Sequence, residues 1–371
     1  MLILVVNCGS SSAKYQLFDI KKYRCLAKGL IERIGQNGSC KNHYDAIGLI
    51  VKELTAEGSG VLKSVNEISG IGHRVVHGGE EFTESTLITD KVIASIEKFS
   101  ELAPLHNPPS LAGIKACVDI LKGIPQVAVF DTSFHHTMSK KVFLYGLPYR
   151  YYEKYAIRKY GFHGTSHKWV AHEAARLLKK PISKLKLITC HLGNGCSMTA
   201  VEHGKSVDTS MGFTPLEGLL MGTRTGDLDP AVVFYLMEKE NLSPAQISDI
   251  LNKESGLLGI SGISNDMRDL LKGSRVKGQG SNRAKLALDM FIYRIEKYIG
   301  AYQAAMKGLD AIIFTAGIGE HNPWVVNRVK KDLSGVVGKR VKFLTVPTNE
   351  ELLIAKDTYE LIKNRHCERT K

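Results

Sequence analysis

A pattern of strand, glycine-containing turn and strand occurs twice in this chain of 371 residues, and it restricts the possible folds more than any other feature. In the first copy, the apolar residues 2–6 precede Asn7-Cys8-Gly9-Ser10 and a second strand-like segment. In the second copy, the apolar residues 185–190 precede His191-Leu192-Gly193-Asn194-Gly195 and another such segment. Glycine lets the backbone approach a ligand closely, and the N–H groups of such a turn suit phosphate oxygens. One phosphate-type hairpin in each half predicts a duplicated fold that holds a nucleotide between the halves.

A third glycine-rich segment, Ala316-Gly317-Ile318-Gly319-Glu320-His321, follows an apolar run and is predicted to be another turn at a strand end. The chain contains no GxxxxGK[ST] sequence and no complete GxGxxG, although Lys14 follows a glycine and serines closely. A nucleotide-binding protein that is neither a P-loop nor a Rossmann protein fits the actin, hexokinase and Hsp70 architecture. The predicted fold class is therefore α/β, with two domains of a duplicated ribonuclease-H-like fold and an interdomain active-site cleft.

The spacing of apolar residues predicts the main elements. Helices are expected over residues 42–57, 90–99, Leu111–Leu121 with Ser110 as N-cap, Lys168–Lys179, Ala284–Met306 and Leu352–Asn364. Strands are expected over residues 68–76, 127–130, 310–315 and 341–346, and loops over residues 255–264 and 272–283. The expected domains are an N-terminal ribonuclease-H-like domain, residues 1–133 plus 350–371, and a C-terminal nucleotide-binding one, residues 134–349.

The formal net charge of +13 would suit a nucleic-acid-binding protein, but the basic residues are spread along the chain and no known nucleic-acid motif occurs. A positive potential equally suits the capture of small anions, so small-molecule substrates are expected and nucleic acid is not. No apolar run approaches the roughly 18 residues of a membrane span, and no membrane partner is expected. The seven cysteines include no Cys-x-x-Cys pair, which favours free thiols and a cytoplasmic location.

Two polar positions stand out, each with a purely structural alternative, and a group of histidines suggests a metal site. Arg74 lies between apolar residues just before a glycine pair, where it is either functional or part of a structural ion pair. Asp131 follows a buried strand, where carboxylates often meet ligands, but a turn-forming or N-capping aspartate is about equally expected. His163, His167 and His172 also suggest a zinc site, yet no HExxH sequence and no cysteine supports it.

Eight motifs together carry a family resemblance. In chain order they are NCGSSSAKYQLFD, HRVVHGGE, LAPLHNPPS, FDTSFHHTM, YGFHGTSH, HLGNG with SMGFTPLEGLLMGTR, AGIGEH and PTNEEL. From residue 1 to about residue 362 the chain resembles the acetate kinases. The resemblance implies reversible in-line transfer of the ATP γ-phosphoryl group to acetate, giving acetyl phosphate and ADP, with Mg²⁺ and with Mn²⁺ as an alternative. It also implies a homodimer.

The resemblance assigns the chemistry to four side chains. Arg74 and Arg224 would bind the carboxylate and the transferred phosphoryl group, since guanidinium groups bind planar oxyanions through two hydrogen bonds. His163 would stabilise the equatorial oxygens of the transition state. Asp131 would lie near the metal ion and the attacking carboxylate, in an electrostatic role, because acetate is already ionised at pH 7.

The resemblance also implies three binding regions. Asn7 and Glu350 would hold the metal ion, although an acidic residue in the first turn of a helix is equally ordinary. The phosphates and adenosine would contact Ser10, Ser12, Lys14, His191, Leu192, Gly193, Asn194, Gly195, Asp266, Met267, Arg268, Gly317, Ile318, Gly319, Glu320 and His321. The methyl group of acetate would contact Val76, Leu105, Phe162 and Pro215. The alternatives left open are a propionate or butyrate kinase and an ATP-gated binding module of the same superfamily.

Overall fold

The computed structural model describes residues 1–36, 40–104, 106–276 and 278–369. These residues form two compact units. The first comprises Met1–His136 together with Asn349–Lys371, and the second comprises Thr137–Thr348.

In the first unit, six described strands form one sheet in the order β3-β2-β1-β4-β6-β5. The strands are β1 (Leu2–Gly9), β2 (Ser12–Asp19), β3 (Arg24–Glu32), β4 (Ile68–Val75), β5 (Thr86–Leu87) and β6 (Gln126–Phe130). Strands β1, β2 and β3 pair antiparallel, whereas β4 is parallel to both β1 and β6. The carboxyl ends of β1, β4 and β6 therefore lie at one edge of the sheet.

The helices of the first unit are α1 (His43–Thr55), α2 (Asp90–Lys98), α3 (Asn107–Ile120) and the C-terminal helix α14 (Glu350–Arg369), with short 3-10 turns at Val65–Glu67, Phe99–Glu101 and Ser133–Thr137. The prediction that Ser110 caps α3 is wrong, because the helix begins at Asn107 and its prolines occupy the first turn. Proline lacks an N–H group that the first turn of a helix would leave unpaired. The Ser110 hydroxyl instead donates to the carbonyl of His106 at 3.1 Å.

In the second unit, five described strands form a sheet in the order β11-β10-β7-β8-β9. The strands are β7 (Lys186–Leu192), β8 (Cys196–Glu202), β9 (Lys205–Thr209), β10 (Ala311–Thr315) and β11 (Lys342–Thr345). Strands β7, β8 and β9 pair antiparallel, and β10 is parallel to both β7 and β11. This is the arrangement of β1, β2, β3, β4 and β6, so the predicted duplication of an α/β fold is confirmed.

The helices of the second unit have the following bounds: α4 (Lys140–Phe143), α5 (Arg150–Tyr155), α6 (Gly164–Leu178), α7 (Pro230–Glu240), α8 (Pro244–Asp249), α9 (Gly256–Ser261), α10 (Met267–Gly273), α11 (Gln279–Met306), α12 (Ala316–His321) and α13 (Pro323–Asp332). A 3-10 turn spans Ile182–Lys184 and a π-helical turn spans Ile250–Glu254. The predicted apolar face of α11 is confirmed, since Phe291, Ile295 and Ile299 are fully buried. None of the helices in the described part of the chain is long and apolar enough to span a bilayer.

Three of the predicted turns or loops are wholly or partly helical, and in the predicted loop 272–283 helix α11 already begins at Gln279. Residues 316–321 form helix α12, whose Glu320 side chain accepts a hydrogen bond from the Ala316 N–H at 2.8 Å and so caps the helix from within. Residues 256–261, expected to be a loop, form α9, because Leu257 is fully buried and its N–H donates to the Met221 carbonyl at 2.8 Å. Helix α6 also begins four residues before the predicted start at Lys168.

Candidate active site

The first unit carries a guanidinium–carboxylate pair at the carboxyl edge of its sheet. Arg74 is the penultimate residue of strand β4. Asp131 directly follows β6, and its N–H donates to the Val75 carbonyl at 2.9 Å. Arg74 Nη2–H donates to Asp131 Oδ2 at 2.6 Å, and Arg74 Nε–H donates to the same oxygen at 3.1 Å. Arg74 thus donates two hydrogen bonds to the Asp131 carboxylate. Asp131 is 1% exposed, so its side of the pair is shielded from water. Asp131 is therefore an ion-pair partner of Arg74.

Glu350 joins this pair from the first turn of α14. Its Oε2 lies 3.8 Å from Arg74 Nε, and its side chain is 19% exposed. Burial raises the pKa of Glu350 to about 7; the charge of Arg74 opposes this shift and the charge of Asp131 adds to it. Burial alone would lower the pKa of Arg74, but the charges of Asp131 and Glu350 outweigh it and raise the pKa. Arg74 thus stays charged, while Glu350 is held near its midpoint at neutral pH.

Lys14 does not stand alone beside the hairpin of the first unit. It lies on β2 and forms an ion pair with Glu351, the residue after Glu350 in α14. The three carboxylates of this region, those of Asp131, Glu350 and Glu351, therefore face two cations, Arg74 and Lys14. Carboxylate oxygens are the ligands that a hard divalent cation prefers.

Asn7, Ser10 and Ser12 lie in the β1–β2 hairpin, as the sequence pattern indicates. Asn7 pairs with Lys14 across the hairpin, and Gly9 pairs with Ser12. Asn7 is one residue beyond Val6, which pairs with His73 on β4, and this register carries Asn7 to the same sheet edge as Arg74. Among the described residues, no group of three or more His, Cys, Asp or Glu side chains is arranged to hold a metal ion. Asn7 and Glu350 fit a site whose other ligands come from substrate phosphates and water.

The second unit holds the other hairpin, between β7 and β8. His191 pairs with Ser197 and Leu192 with Cys196, and the turn closes where the Gly193 N–H donates to the Gly195 carbonyl at 3.1 Å. A residue outside the turn also stabilises it, because the Gly222 N–H donates to the Asn194 carbonyl at 3.0 Å. A Cβ on Gly222 would lie 2.1 Å from Asn194 Oδ1, so any larger residue here would displace the Asn194 side chain.

His163 and His191 form a stacked pair in the second unit. Their ring centroids are 4.1 Å apart and the ring planes differ by 20°. His163 precedes helix α6 in the left-handed conformation (φ 56°), and this turns its side chain back from the helix. His163 Nδ1 lies 2.8 Å from Ser197 Oγ, and His191 Nδ1 lies 2.8 Å from Ser166 Oγ. Each imidazole is thus oriented by a serine hydroxyl.

Arg224 lies near the edge of His163. A Cβ built on Gly195 would lie 3.3 Å from Arg224 Nη1 and 3.7 Å from His163 Nε2, so both groups border the same small space. Arg224 Nη1–H donates to the Pro215 carbonyl at 3.0 Å. Burial lowers the pKa of Arg224 from its ordinary value, with a small opposing contribution from Cys196. Phe162, which the resemblance predicts for the apolar pocket, is buried directly before His163 in the chain.

A cavity of about 420 Å³ opens in the second unit beside the hairpin. Its lining residues are Gly193, Asn194, Asn265, Asp266, Met267, Arg268, Gly317, Ile318, His321 and Asn322. The structure thus brings together most of the residues predicted for the adenosine side. Glu320 and Gly319, also predicted, are absent from this lining: Glu320 caps α12, and Gly319 packs against the backbone of Phe314.

The apolar residues predicted for the substrate methyl group are distributed over both units. Val76 is partly buried after β4 in the first unit, while Phe162 and Pro215 belong to the second. Leu105 lies outside the described residues.

Sequence reasoning missed several polar residues of this region. Asn265 lines the cavity and its Nδ2–H donates to Asn194 Oδ1 at 3.1 Å. Ser166 and Ser197 orient the two histidines. Ser166 lies three residues after His163 in a glycine-flanked segment, which was a usable signal, whereas Ser197 looked like an ordinary strand residue.

The chain is similar over almost its whole length to known proteins. Residues 2–338 match the acetokinase family. An acetate kinase from Carboxydothermus hydrogenoformans is 52% identical over 402 aligned positions, covering 98% of this chain and 100% of that protein. An acetate kinase from Thermoanaerobacter pseudethanolicus is 53% identical over 400 aligned positions, covering 98% of this chain and 99% of that protein.

Two solved structures show the same similarity in three dimensions. The acetate kinase of Porphyromonas gingivalis has a TM-score of 0.91 and 42% identity, covering 97% of this chain and 99% of its own. A propionate kinase from Francisella tularensis has a TM-score of 0.88 and 40% identity, with the same coverage.

Proposed function

Because the chain belongs to the acetokinase family, it is a phosphotransferase with a carboxyl group as acceptor, and we propose that it transfers the γ-phosphoryl group of ATP to acetate. The products are acetyl phosphate and ADP, and the reaction is reversible. The observation that carries the proposal is the identity of about 52%, over 98% of the chain, to a protein named acetate kinase. The family resemblance that the eight motifs predict is confirmed.

The acetate carboxylate is assigned to the first unit. Arg74 would bind the acetate carboxylate. Asp131 accepts hydrogen bonds from its Nε and Nη2 groups and so holds the guanidinium plane in one orientation. Asp131 therefore has an electrostatic and orienting role. No general base is required, because a carboxylate is ionised and nucleophilic at neutral pH.

Arg224 and His163 stabilise the transferred phosphoryl group. Both border the space next to Gly195, and both can offer N–H groups to the equatorial oxygens. Charge spreads over these oxygens in phosphoryl transfer, so positioned donors supply most of the catalysis. Arg224 is anchored by the Pro215 carbonyl, and this anchoring limits the motion of its guanidinium group.

Asn7 and Glu350 would hold Mg²⁺, with Mn²⁺ as an alternative. When bound, the metal ion would neutralise part of the phosphate charge. The presence of the Glu350 carboxylate 3.8 Å from Arg74, beside the carboxylate of Asp131, supports this assignment. Lys14, Ser10 and Ser12 contribute donors for phosphate oxygens from the β1–β2 hairpin.

The nucleotide base and ribose occupy the cavity of about 420 Å³ in the second unit. Helices α10 and α12 both contribute to its lining, and Asn194 of the hairpin lines it as well. The hairpin residues His191 to Gly195 would hold the β and γ phosphates.

A propionate kinase is the second candidate, since one structural relative at 40% identity is named as a propionate kinase. Val76, Phe162, Pro215 and Leu105 would set the acyl-chain length. One methylene group in an apolar pocket changes specificity by about 1–3 kcal/mol, so propionate is expected to be a slower substrate of the same site.

We further propose that the protein acts in the cytoplasm as a homodimer. Helix α7 supports the dimer: none of its residues is buried within this chain, and Phe234 and Tyr235 are 71% and 60% exposed. Contiguous exposed aromatic side chains are characteristic of protein interfaces.

The decisive experiment measures ADP formation from ATP and Mg²⁺ with acetate, propionate or butyrate as acceptor. Acetate should give the highest kcat/KM, and Arg74→Ala should abolish most of the activity. Arg176→Ala is the matched control, because this arginine is 69% exposed and forms an ion pair with Glu173 of the same helix. Absence of turnover with every short acid would reject the proposal and favour the ATP-gated binding module.

A further inference from the structure

The loop that carries Arg224 is closed at its base by hydrogen bonds between its two ends. We call residues 218–227 the Arg224 loop. The Gly218 N–H donates to Asp227 Oδ1 at 3.0 Å, and the Asp227 N–H donates to the Gly218 carbonyl at 2.9 Å. Within the loop, the Met221 N–H donates to the Arg224 carbonyl at 3.1 Å. The backbone of the arginine is therefore part of a closed, hydrogen-bonded loop.

A π-helical turn, Ile250–Glu254, contacts both chain neighbours of the arginine in this loop. The Leu251 carbonyl accepts from the Thr225 N–H at 3.1 Å, and the Asn252 carbonyl accepts from the Thr223 hydroxyl group at 2.9 Å. Both carbonyls lie in the last turn of a helix, where carbonyl groups have no partner within the helix itself. The loop thus supplies donors that this helix end needs, and the helix end holds the loop on both sides of its arginine.

The segment after the π-helical turn continues the same contact. The Ser255 N–H donates to the Thr223 carbonyl at 3.0 Å, and the Leu257 N–H donates to the Met221 carbonyl at 2.8 Å. Gly256 between them has a φ of 63°, and a Cβ built on it would lie 2.3 Å from the Met221 carbonyl oxygen. Backbone therefore packs directly against backbone here, and glycine is what permits this approach.

The arginine side chain is held at its other end as well. Arg224 Nη1–H donates to the Pro215 carbonyl at 3.0 Å, and the guanidinium group borders the space beside Gly195. A long arginine side chain loses much conformational freedom when it is held in one place. Donors that are already fixed before the reaction stabilise a transition state best, because they need no reorganisation. Fixing both the backbone and the guanidinium group meets this requirement.

We infer that Thr223 is a positioning residue, whose hydrogen bond to the π-helical turn fixes the backbone from which Arg224 reaches the transferred phosphoryl group. The inference rests on the proposed function for the role of Arg224 itself. The direction of the bond is certain, because a hydroxyl group can donate and a carbonyl oxygen can only accept. A side chain makes this bond, so a substitution can remove it and leave the backbone contacts of the loop in place.

The test compares Thr223→Val with Thr137→Val in the full-length protein, using ATP, Mg²⁺ and acetate. Thr137 is the matched control, because its hydroxyl group also donates to the carbonyl of a residue distant in sequence, Ser206, at 2.7 Å. Thr223→Val should lower kcat about tenfold, the value of one lost hydrogen bond, and should leave both KM values within about twofold, since Arg224 acts on the transition state. Thr137→Val should leave kcat unchanged.

Two further variants separate positioning from general stability. Thr223→Ser keeps the hydroxyl group and should restore kcat to within about twofold of wild type. Adding Thr223→Val to Arg224→Ala should cause no further loss of kcat, because the hydroxyl group acts through the arginine. Wild-type kcat in Thr223→Val, or a full tenfold loss in the Arg224→Ala background, would overturn the inference. Should Thr223→Val not fold, Thr223→Ala removes the same hydroxyl group and takes its place throughout.

A measurement of side-chain motion tests the inference without turnover. In protein labelled with ¹⁵N-arginine, the Nε signal that disappears in Arg224→Lys reports the order of this side chain on the picosecond-to-nanosecond timescale. The side chain should be ordered in wild type and clearly less ordered in Thr223→Val, and equal order in both would refute the inference. If the order were lost in this way but wild type turned over no short acid, the proposed function would fail while the positioning role stood.

Discussion

Glu350→Gln should stabilise the folded protein at neutral pH while damaging catalysis. Burial raises the pKa of Glu350 from its ordinary value of 4.5 to about 7, so ionised Glu350 is disfavoured in the folded state. A carboxyl group with a raised pKa contributes stability that is fully present below pH 4.5 and lost as the pH rises through about 7. At about 1.4 kcal/mol for each step of one in pKa, the rise from 4.5 to about 7 lowers the free energy of unfolding by roughly 3 kcal/mol above pH 7. Gln has the shape of the neutral carboxyl group and does not ionise, so the variant does not lose this stability.

Urea unfolding of wild type and Glu350→Gln, followed from pH 4 to pH 8.5, measures the effect. The difference in unfolding free energy should grow by roughly 3 kcal/mol in favour of Gln between about pH 4.5 and pH 7, and then level off. Glu360→Gln, at an exposed position further along α14, is the control for removing one negative charge. A difference that does not change with pH, or one that grows in favour of wild type, would refute the reasoning. Loss of kcat in the stabilised variant would show that the carboxylate is retained for function.

Three further predictions concern other parts of the protein. Gly222→Ala should raise KM for ATP about tenfold and leave KM for acetate unchanged, because the new Cβ would lie 2.1 Å from Asn194 Oδ1 and displace that side chain. Equal changes in both KM values would contradict this prediction. Val76→Ala should raise kcat/KM for propionate relative to acetate about tenfold in acyl-chain kinetics, and an unchanged ratio would remove Val76 from the pocket. Phe234→Ser with Tyr235→Ser should shift sedimentation from dimer to monomer without unfolding the chain, whereas an unshifted dimer would place the interface elsewhere.

The sequence predicted the strands and the two hairpins well because their signal is local. An apolar run followed by a polar residue and a glycine fixes where a strand ends, and both hairpins obey this rule. Helix α12 was missed because a glycine-rich segment looks like a turn, and the stabilising contact comes from the Glu320 side chain within the helix. The start of α3 was missed because Pro108 and Pro109 were interpreted as a loop, although both suit the first turn of a helix.

For the candidate site, residue types were predictable but partners were not. Arg74 stood out as a cation among apolar residues, yet its pairing with Asp131, which is 57 residues away in sequence, depends on the register of β4 against β6. Ser197 gave no signal, because a serine on a strand is ordinary until the fold brings it to His163 and His167. Long-range register of this kind is set by tertiary packing and leaves no local trace in the sequence.

The placement of Glu350 depends on two glycines that show no role in the chemistry. A Cβ on Gly70 would lie 2.2 Å from Ile362 Cδ1, and a Cβ on Gly72 would lie 2.4 Å from Thr358 Oγ1, so β4 and α14 approach too closely for any larger residue. Since Arg74 is two residues beyond Gly72 on β4, this close approach is what brings the start of α14 within ion-pair distance of Arg74. Gly72→Ala should therefore push α14 outward and separate Glu350 from Arg74. The pH-dependent cost of Glu350 should then shrink, because a carboxylate nearer to water returns toward its ordinary pKa.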